Sequence, residues 1–62
     1  MIQATPIRMP DGAWEARVDG VEDLKAGDRV ELISRRGEAW SVEVIQVLDS
    51  YRCVHRCKVR RI

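Results

Sequence analysis

Ala39-Trp40-Ser41-Val42-Glu43-Val44-Ile45-Gln46-Val47-Leu48 is the stretch that decides the fold. Trp40, Val42 and Val44 fall on one face of a period-two strand, whereas Ile45 and Val47 fall on the other. A strand that changes phase in this way either has both faces covered or carries a bulge. A bulge near Val44–Ile45 would bend the strand so that it serves two sheets, which is how small barrels close. The phase change therefore predicts a bent, closed β structure.

The flanking sequence divides at short, regular intervals, as in all-β chains. On the N-terminal side, Arg35-Arg36-Gly37-Glu38 is a hairpin turn, with Gly37 suited to the left-handed region. Val30 and Leu32 before it alternate with Arg29 and Glu31. Gly20 to Gly27 forms the longest connection, in which residues 21–26 could make at most one helical turn, with Leu24 as a plug over the core. Trp14, Ala16 and Val18 alternate with Glu15, Arg17 and Asp19, so a half-buried strand with Trp14 inside is expected. Met9-Pro10-Asp11-Gly12 is a turn. Ile2 to Arg8, interrupted by Pro6, reads as an edge strand or arm, because proline lacks a ladder donor. On the C-terminal side, Asp49-Ser50 reads as a turn and Tyr51 to Arg61 as a last strand.

The expectation is one all-β domain over residues 1–62, an SH3-like meander of about five antiparallel strands. With 62 residues, such a domain buries only roughly 60% of its unfolded surface. A deep substrate cleft would compete with the core for the same side chains, which argues against a monomeric enzyme. At 45% hydrophobic and 34% charged residues the chain is outside the disordered class. No apolar run approaches the ~20 residues of a membrane span. No basic-then-apolar leader opens the sequence, so a cytoplasmic setting is expected.

Charge is uneven. Residues 1–49 carry six basic and ten acidic side chains, a balance of −4, whereas residues 50–62 carry Arg52, Arg56, Lys58, Arg60 and Arg61 with no acid, +5. Arg52, Arg56, Lys58 and Arg60 share one parity of a continuous strand. Their spacing of about 6–7 Å approximates that of successive phosphates. Arg35 and Arg36 at the hairpin tip complete a candidate nucleic-acid-binding set. Tyr51 and Trp40 could offer stacking faces or interface anchors. The competing explanation is a terminal edge strand charged against aggregation, or one paired with acids such as Glu15, Glu31 and Glu43.

Cys53, His55 and Cys57 form a Cys-x-His-x-Cys run. On a strand the three side chains spread over roughly 13 Å, too far for a disulfide or for a zinc site without a knuckle. The two cysteines read as reduced, half-buried packing residues. Asp11, Asp19, Asp23 and Asp28 lie in or beside turns, where aspartate caps local backbone. No cofactor, metal or catalytic set is implied.

Gly12-Ala13-Trp14, Gly27-Asp28-Arg29-Val30 and Arg36-Gly37-Glu38-Ala39-Trp40, followed by Val44 and Val47, resemble short bacterial and phage β domains. Those domains carry Gly-x-Trp, Gly-Asp-x-Val and Arg-x-Gly-x-x-Trp motifs, and the likeness covers roughly residues 9–48. Their functions are mostly unassigned, and some accompany DNA-processing or antirestriction modules. Gly27-Asp28-Arg29-Val30 with Ala39-Trp40 is also similar to the type II plasmid dihydrofolate reductases, barrels that assemble one active pore from four chains. Their Val-Gln-Ile-Tyr strand has no counterpart here.

Three functions follow as expectations. The first is a non-catalytic binding module, nucleic-acid-associated through its basic C-terminal strand. The alternative is a protein-interaction module such as a phage-encoded inhibitor or adaptor. The remote one is an oligomeric enzyme with its site on a symmetry axis. Homodimerisation stays open.

Overall fold

The computed structural model describes residues 2–62. Its strands are β1 (Ile2–Arg8), β2 (Trp14–Asp19), β3 (Arg29–Ile33), β4 (Ala39–Tyr51) and β5 (Val54–Arg61), and it contains no helix. They close into a barrel in the order β1-β2-β5-β4-β3. The all-β barrel expected from the alternation is what forms. Its pairing is not that of a simple meander, because β2 pairs with β5 and β1 pairs in parallel with β3. β5 is thus paired on both sides from Val54 to Lys58, whereas Val59, Arg60 and Arg61 pair with β4 alone, so the charged edge of the competing explanation is confined to the end of the strand.

β4 makes the corner. Residues 39–43 pair with β3, and residues 42–51 pair with β5. The register slips between Val44 and Gln46, so Ile45 is the bulged residue, where the phase change put the bend. A second slip, between Val47 and Asp49, restores the original phase. Val42 and Val44 face inward before the first bulge and the half-buried Val47 between the two, while Ser50, opposite His55 after the second, is exposed but reaches the buried imidazole with its hydroxyl. The Asp49-Ser50 turn expected from sequence is therefore strand, and the chain reverses at Arg52-Cys53. Arg52 takes a φ of 56° there, a left-handed conformation that costs a non-glycine residue about 1–2 kcal/mol.

β1 is an edge only in part. Its residues Ile2 to Ala4 pair with β3, while Pro6 lies beyond that ladder and pairs with β2 alone. The missing proline N–H falls where no β3 acceptor waits.

Among the described residues, eight small or branched side chains form the apolar core: Ala4, Ala16, Val18, Val30, Leu32, Val42, Val44 and Cys57. Trp14, in phase with Ala16 and Val18 as expected, is the first residue of β2, paired with Arg8, and is 47% exposed, which corrects its placement in the core. Trp40 is half-buried at the same end of the barrel.

The opposite end is capped by the connection between β2 and β3. Val21 and Leu24 pack against the core from it, so Leu24 plugs the barrel without the helical turn. Gly27 N–H donates to Val44 O, and Val44 N–H donates to Asp28 O, both at 2.8 Å. Asp28 also accepts from Lys25 N–H, and Asp11 from Ala13 N–H, which is the turn chemistry expected of them. Asp19 instead pairs with Arg17.

The two cysteines part company. Cys53 is exposed in the turn, contrary to expectation, whereas Cys57 is fully buried and donates its Sγ–H to Ala16 O at 3.6 Å. Burial, and secondarily the nearby Glu15 charge, raises the Cys57 pKa. The folded thiol keeps its proton where the unfolded one ionises. Stability should therefore fall as pH rises past the ordinary thiol value of about 8.5. Under native conditions Cys53 should react with a thiol reagent at least about a hundredfold faster than Cys57, whose labelling requires opening of the barrel. Equal rates would contradict the burial of Cys57.

Candidate functional site

The expected basic set does not form one surface. Arg35 and Arg36 sit on the β3–β4 hairpin at one end of the barrel, and Arg52 sits on the β4–β5 turn at the other. Arg56, Lys58 and Arg60 do share the outer face of β5, but acids run beside them. Arg60 Nε and Nη2 both reach Glu43 Oε1, at 2.9 and 2.7 Å. Arg56 Nη1 lies 3.5 Å from Glu15 Oε1. Lys58 has Glu15 and Gln46 as its cross-strand neighbours and enters none of the ion pairs among the described residues. Glu31 stands between Gln3 and Ser41, away from β5. Two of the three expected neutralising acids thus pair with the strand.

Trp40 and Tyr51 lie at opposite ends of β4 and cannot act as one stacking platform. Tyr51 is 73% exposed, and the Arg52 guanidinium lies over its ring, 5.5 Å from the centroid.

His55 is an interior residue. A carbonyl can only accept, so Nε2–H donates to Val21 O at 2.6 Å, and Nδ1 shares a hydrogen bond with the Ser50 hydroxyl at 2.7 Å. The Cys-x-His-x-Cys run is thereby dispersed: Cys53 faces solvent, His55 ties the connection to the last hairpin, and Cys57 bonds within the core.

The surface that stands out was not assembled from the sequence. A groove of about 440 Å³ runs along the outer wall beside Trp14. Met9, Pro10 and Ala13 of the first turn form one side, and Ile45, Lys58 and Val59 form the other. The bulge builds it. Because Ile45 is the extra residue of β4, its side chain leaves the core alternation and is 49% exposed. Trp14 also walls a second recess of about 250 Å³ at the barrel mouth, shared with Trp40, Leu32 and Arg61. Two large apolar side chains are thus left uncovered on one side of a domain that has few to spare. Ile45 was legible as out of phase with Val44, but its phase alone could not say that nothing packs over it.

Glu15 sits in the wall of this groove. It is only 7% exposed although it occupies an outward position of β2, and its Oε1 has no hydrogen-bond donor among the described residues. The 3.5 Å approach of Arg56 supplies charge without a hydrogen bond. The Arg8 guanidinium lies 5.8 Å from the centroid of Trp14, so this indole already receives one cation.

Fold and surface together define a small closed β-barrel with an apolar groove on its outer wall. No protein-family model, curated protein or solved structure matches the chain. The likeness to short bacterial and phage β domains accordingly stands on its motifs alone.

Proposed function

We propose that this barrel is a non-catalytic protein-interaction module that takes an extended segment of a partner across the Trp14–Ile45 groove. The observation that carries this reading is the pair of half-exposed apolar side chains flanking one groove. Exposed tryptophan is among the residue types most enriched at interface positions that dominate binding energy, and the side chain of Ile45, unlike the bulge it occupies, adds nothing to the core. The nucleic-acid reading is the weaker one. Its stripe on β5 is interrupted by the Arg56–Glu15 and Arg60–Glu43 pairs, and its remaining arginines lie at both ends of the molecule.

Selection from a random peptide display library, with Trp14→Ala and Ile45→Ser as counter-targets, tests the proposal. Enriched peptides should bind the wild-type chain and lose roughly tenfold or more in affinity on Trp14→Ala, the scale of an interface anchor. Both variants should keep the fold, since both side chains are half in solvent. Peptides that ignore both substitutions would overturn the assignment of the groove. Absence of any enrichment, together with a mobility shift of DNA or RNA whose log K falls with log salt by about 0.7–0.9 per contact, would replace it with the nucleic-acid reading.

A further inference from the structure

We infer that the partner segment binds as an added β-strand, antiparallel to the end of β5 at Val59–Arg61, and that it brings an acidic side chain to Arg61 and apolar ones to the groove. This inference rests on the groove being the binding surface and names how the segment is held and what it carries.

The barrel wall is incomplete beside the groove. The β2–β5 ladder stops at Glu15–Lys58. Trp14 then pairs only with Arg8 of β1, and Val59, Arg60 and Arg61 have β4 alone. Two observations fix which way the backbone of β5 points there. Val44, opposite Val59, donates its N–H to Asp28 O and accepts from Gly27 N–H, both away from β5. Val44–Val59 is therefore a non-hydrogen-bonded pair of the ladder, and Val59 turns its own backbone groups away from β4. Ile62 N–H donates to Ser41 O at 3.3 Å, so by alternation Arg61 points the same way as Val59. Arg61 lies beyond the last rung of β2, and its N–H and C=O meet no strand among the described residues. Such an edge is a template for another chain, and strand addition is a recurring way of taking an extended peptide.

The hollows beside this edge suit the two faces of a strand. The groove on the outer wall and the recess at the barrel mouth share Trp14 and Val59, so they flank the place where β2 and β5 part. Successive side chains of an added strand point to opposite faces. One meets Met9 and Ile45 in the groove, and the next meets the half-buried Trp40 in the recess. Neither needs the indole face that Arg8 covers. Charge decides between occupants. Arg60 is held by Glu43, but Arg61 and Arg29, which line the same outer hollow, enter none of the ion pairs among the described residues. A second copy of β5 laid antiparallel on this edge would set Arg60 and Arg61 against their own counterparts, and like charges directly opposite are destabilising. An aspartate or glutamate at that end instead meets guanidinium groups with no carboxylate of their own. In an antiparallel strand this acid lies N-terminal to the apolar residues.

Selection of a random seven-residue display library on the wild-type chain, followed by NMR with a synthetic peptide of the enriched sequence, tests this. Enriched peptides should carry an acidic residue N-terminal to alternating apolar ones. In the complex the Arg61 amide should exchange at least about tenfold more slowly than in the free chain. N-methylation of the peptide should abolish binding at alternate amides and be tolerated at those between. Arg61→Pro removes the donor on the open edge, while Arg60 and Ile62 keep their places on the β4 ladder. The fold should persist and affinity should fall about five- to tenfold, the scale of one hydrogen bond. Arg61→Gln keeps the backbone donor and should weaken only peptides that carry the acid. An Arg61 amide left unprotected by the peptide, or N-methylation losses without alternation, would overturn the added strand; neither result requires a variant to fold. Enriched peptides with no acidic bias would overturn the chemistry assigned to the partner. The groove proposal is judged separately, by dependence on Trp14 and Ile45. If peptides need those side chains yet leave the Arg61 amide unprotected, the groove stands and the added strand falls; no enrichment at all removes both.

Discussion

Deleting Ile45 is expected to unfold the domain, although the residue is half-exposed and touches little of the core. Without it, Val44 would still face inward and Gln46 outward, and the pairs Val44–Val59 and Gln46–Lys58 would alternate without interruption. On paper the ladder to β5 survives. What disappears is the bend that lets residues 39–43 follow β3 while residues 46–51 follow β5. A straightened β4 cannot stay on both neighbours, and barrel closure depends on such corners. The bulge also sets the position of Val44, whose N–H and C=O hold Asp28 and Gly27 of the capping connection. A chain of this length has a stability of about 3–9 kcal/mol at the usual 0.05–0.15 kcal/mol per residue. Separating β4 from β3 removes a whole strand interface and exceeds that margin. The deletion variant should therefore lose amide dispersion in its NMR spectrum and cooperative urea unfolding. Ile45→Ser keeps the extra residue and should cost less than about 1 kcal/mol, the range of surface changes. A deletion variant with a dispersed spectrum and an unchanged urea midpoint would mean that the bulge is not what closes the barrel.

The contrast between the two Ile45 variants also marks where sequence reasoning succeeds. The phase change between Val44 and Ile45 is a local signal, because side-chain period in a strand is fixed at two, and it correctly located a corner. The second bulge, at Leu48, had no comparable signal. Val47 and Leu48 are both apolar, and Asp49-Ser50 looks like turn chemistry. Ser50 is strand because it pairs with His55 across the β4–β5 ladder, a partner five residues on that only the turn at Arg52-Cys53 brings opposite. The pairing of β2 with β5 and of β1 with β3 was equally illegible, since strand order is set by long-range closure and no residue announces it. Trp14 was assigned to the interior by periodicity, which gives a direction but not a depth; at the first position of β2 its ring is left half in solvent. Glu15 failed in the opposite way. Its outward parity implied water, and only the fold brings Trp14, Ile45 and the first turn around it. The charge asymmetry was read correctly as arithmetic. Its consequence was decided by cross-strand neighbours that the register alone supplies: Glu43 beside Arg60, and Arg17 beside Arg56.

Replacing His55 with alanine is expected to cost about 3 kcal/mol and to loosen the capping connection before the rest of the barrel. The imidazole is 4% exposed and bridges three segments, β5 through its own backbone, β4 through Ser50, and the connection through Val21 O. Alanine removes two hydrogen bonds worth about 1 kcal/mol each net and leaves the Val21 carbonyl and the Ser50 hydroxyl without their partner. The volume vacated by the ring adds a cavity term, since a small barrel interior relaxes little around a lost side chain. The sum is a large share of the 3–9 kcal/mol available to a domain of this size. The loss is also uneven in space. With the Val21 anchor gone, the start of the connection is held mainly by the Gly20 N–H bond to Cys53 O at 2.9 Å. Native-state hydrogen exchange should therefore accelerate first at Gly20 and Gly27, while amides of the β2–β5 ladder follow only the global loss. Ser50→Ala, which keeps the ring and its bond to Val21, should cost about 1 kcal/mol and leave Gly27 protected. Urea unfolding measures the first quantity and exchange the second. A His55→Ala variant within about 1 kcal/mol of wild type, with Gly20 exchange unchanged, would show that the latch is dispensable and that Val21 and Leu24 hold the connection by packing alone.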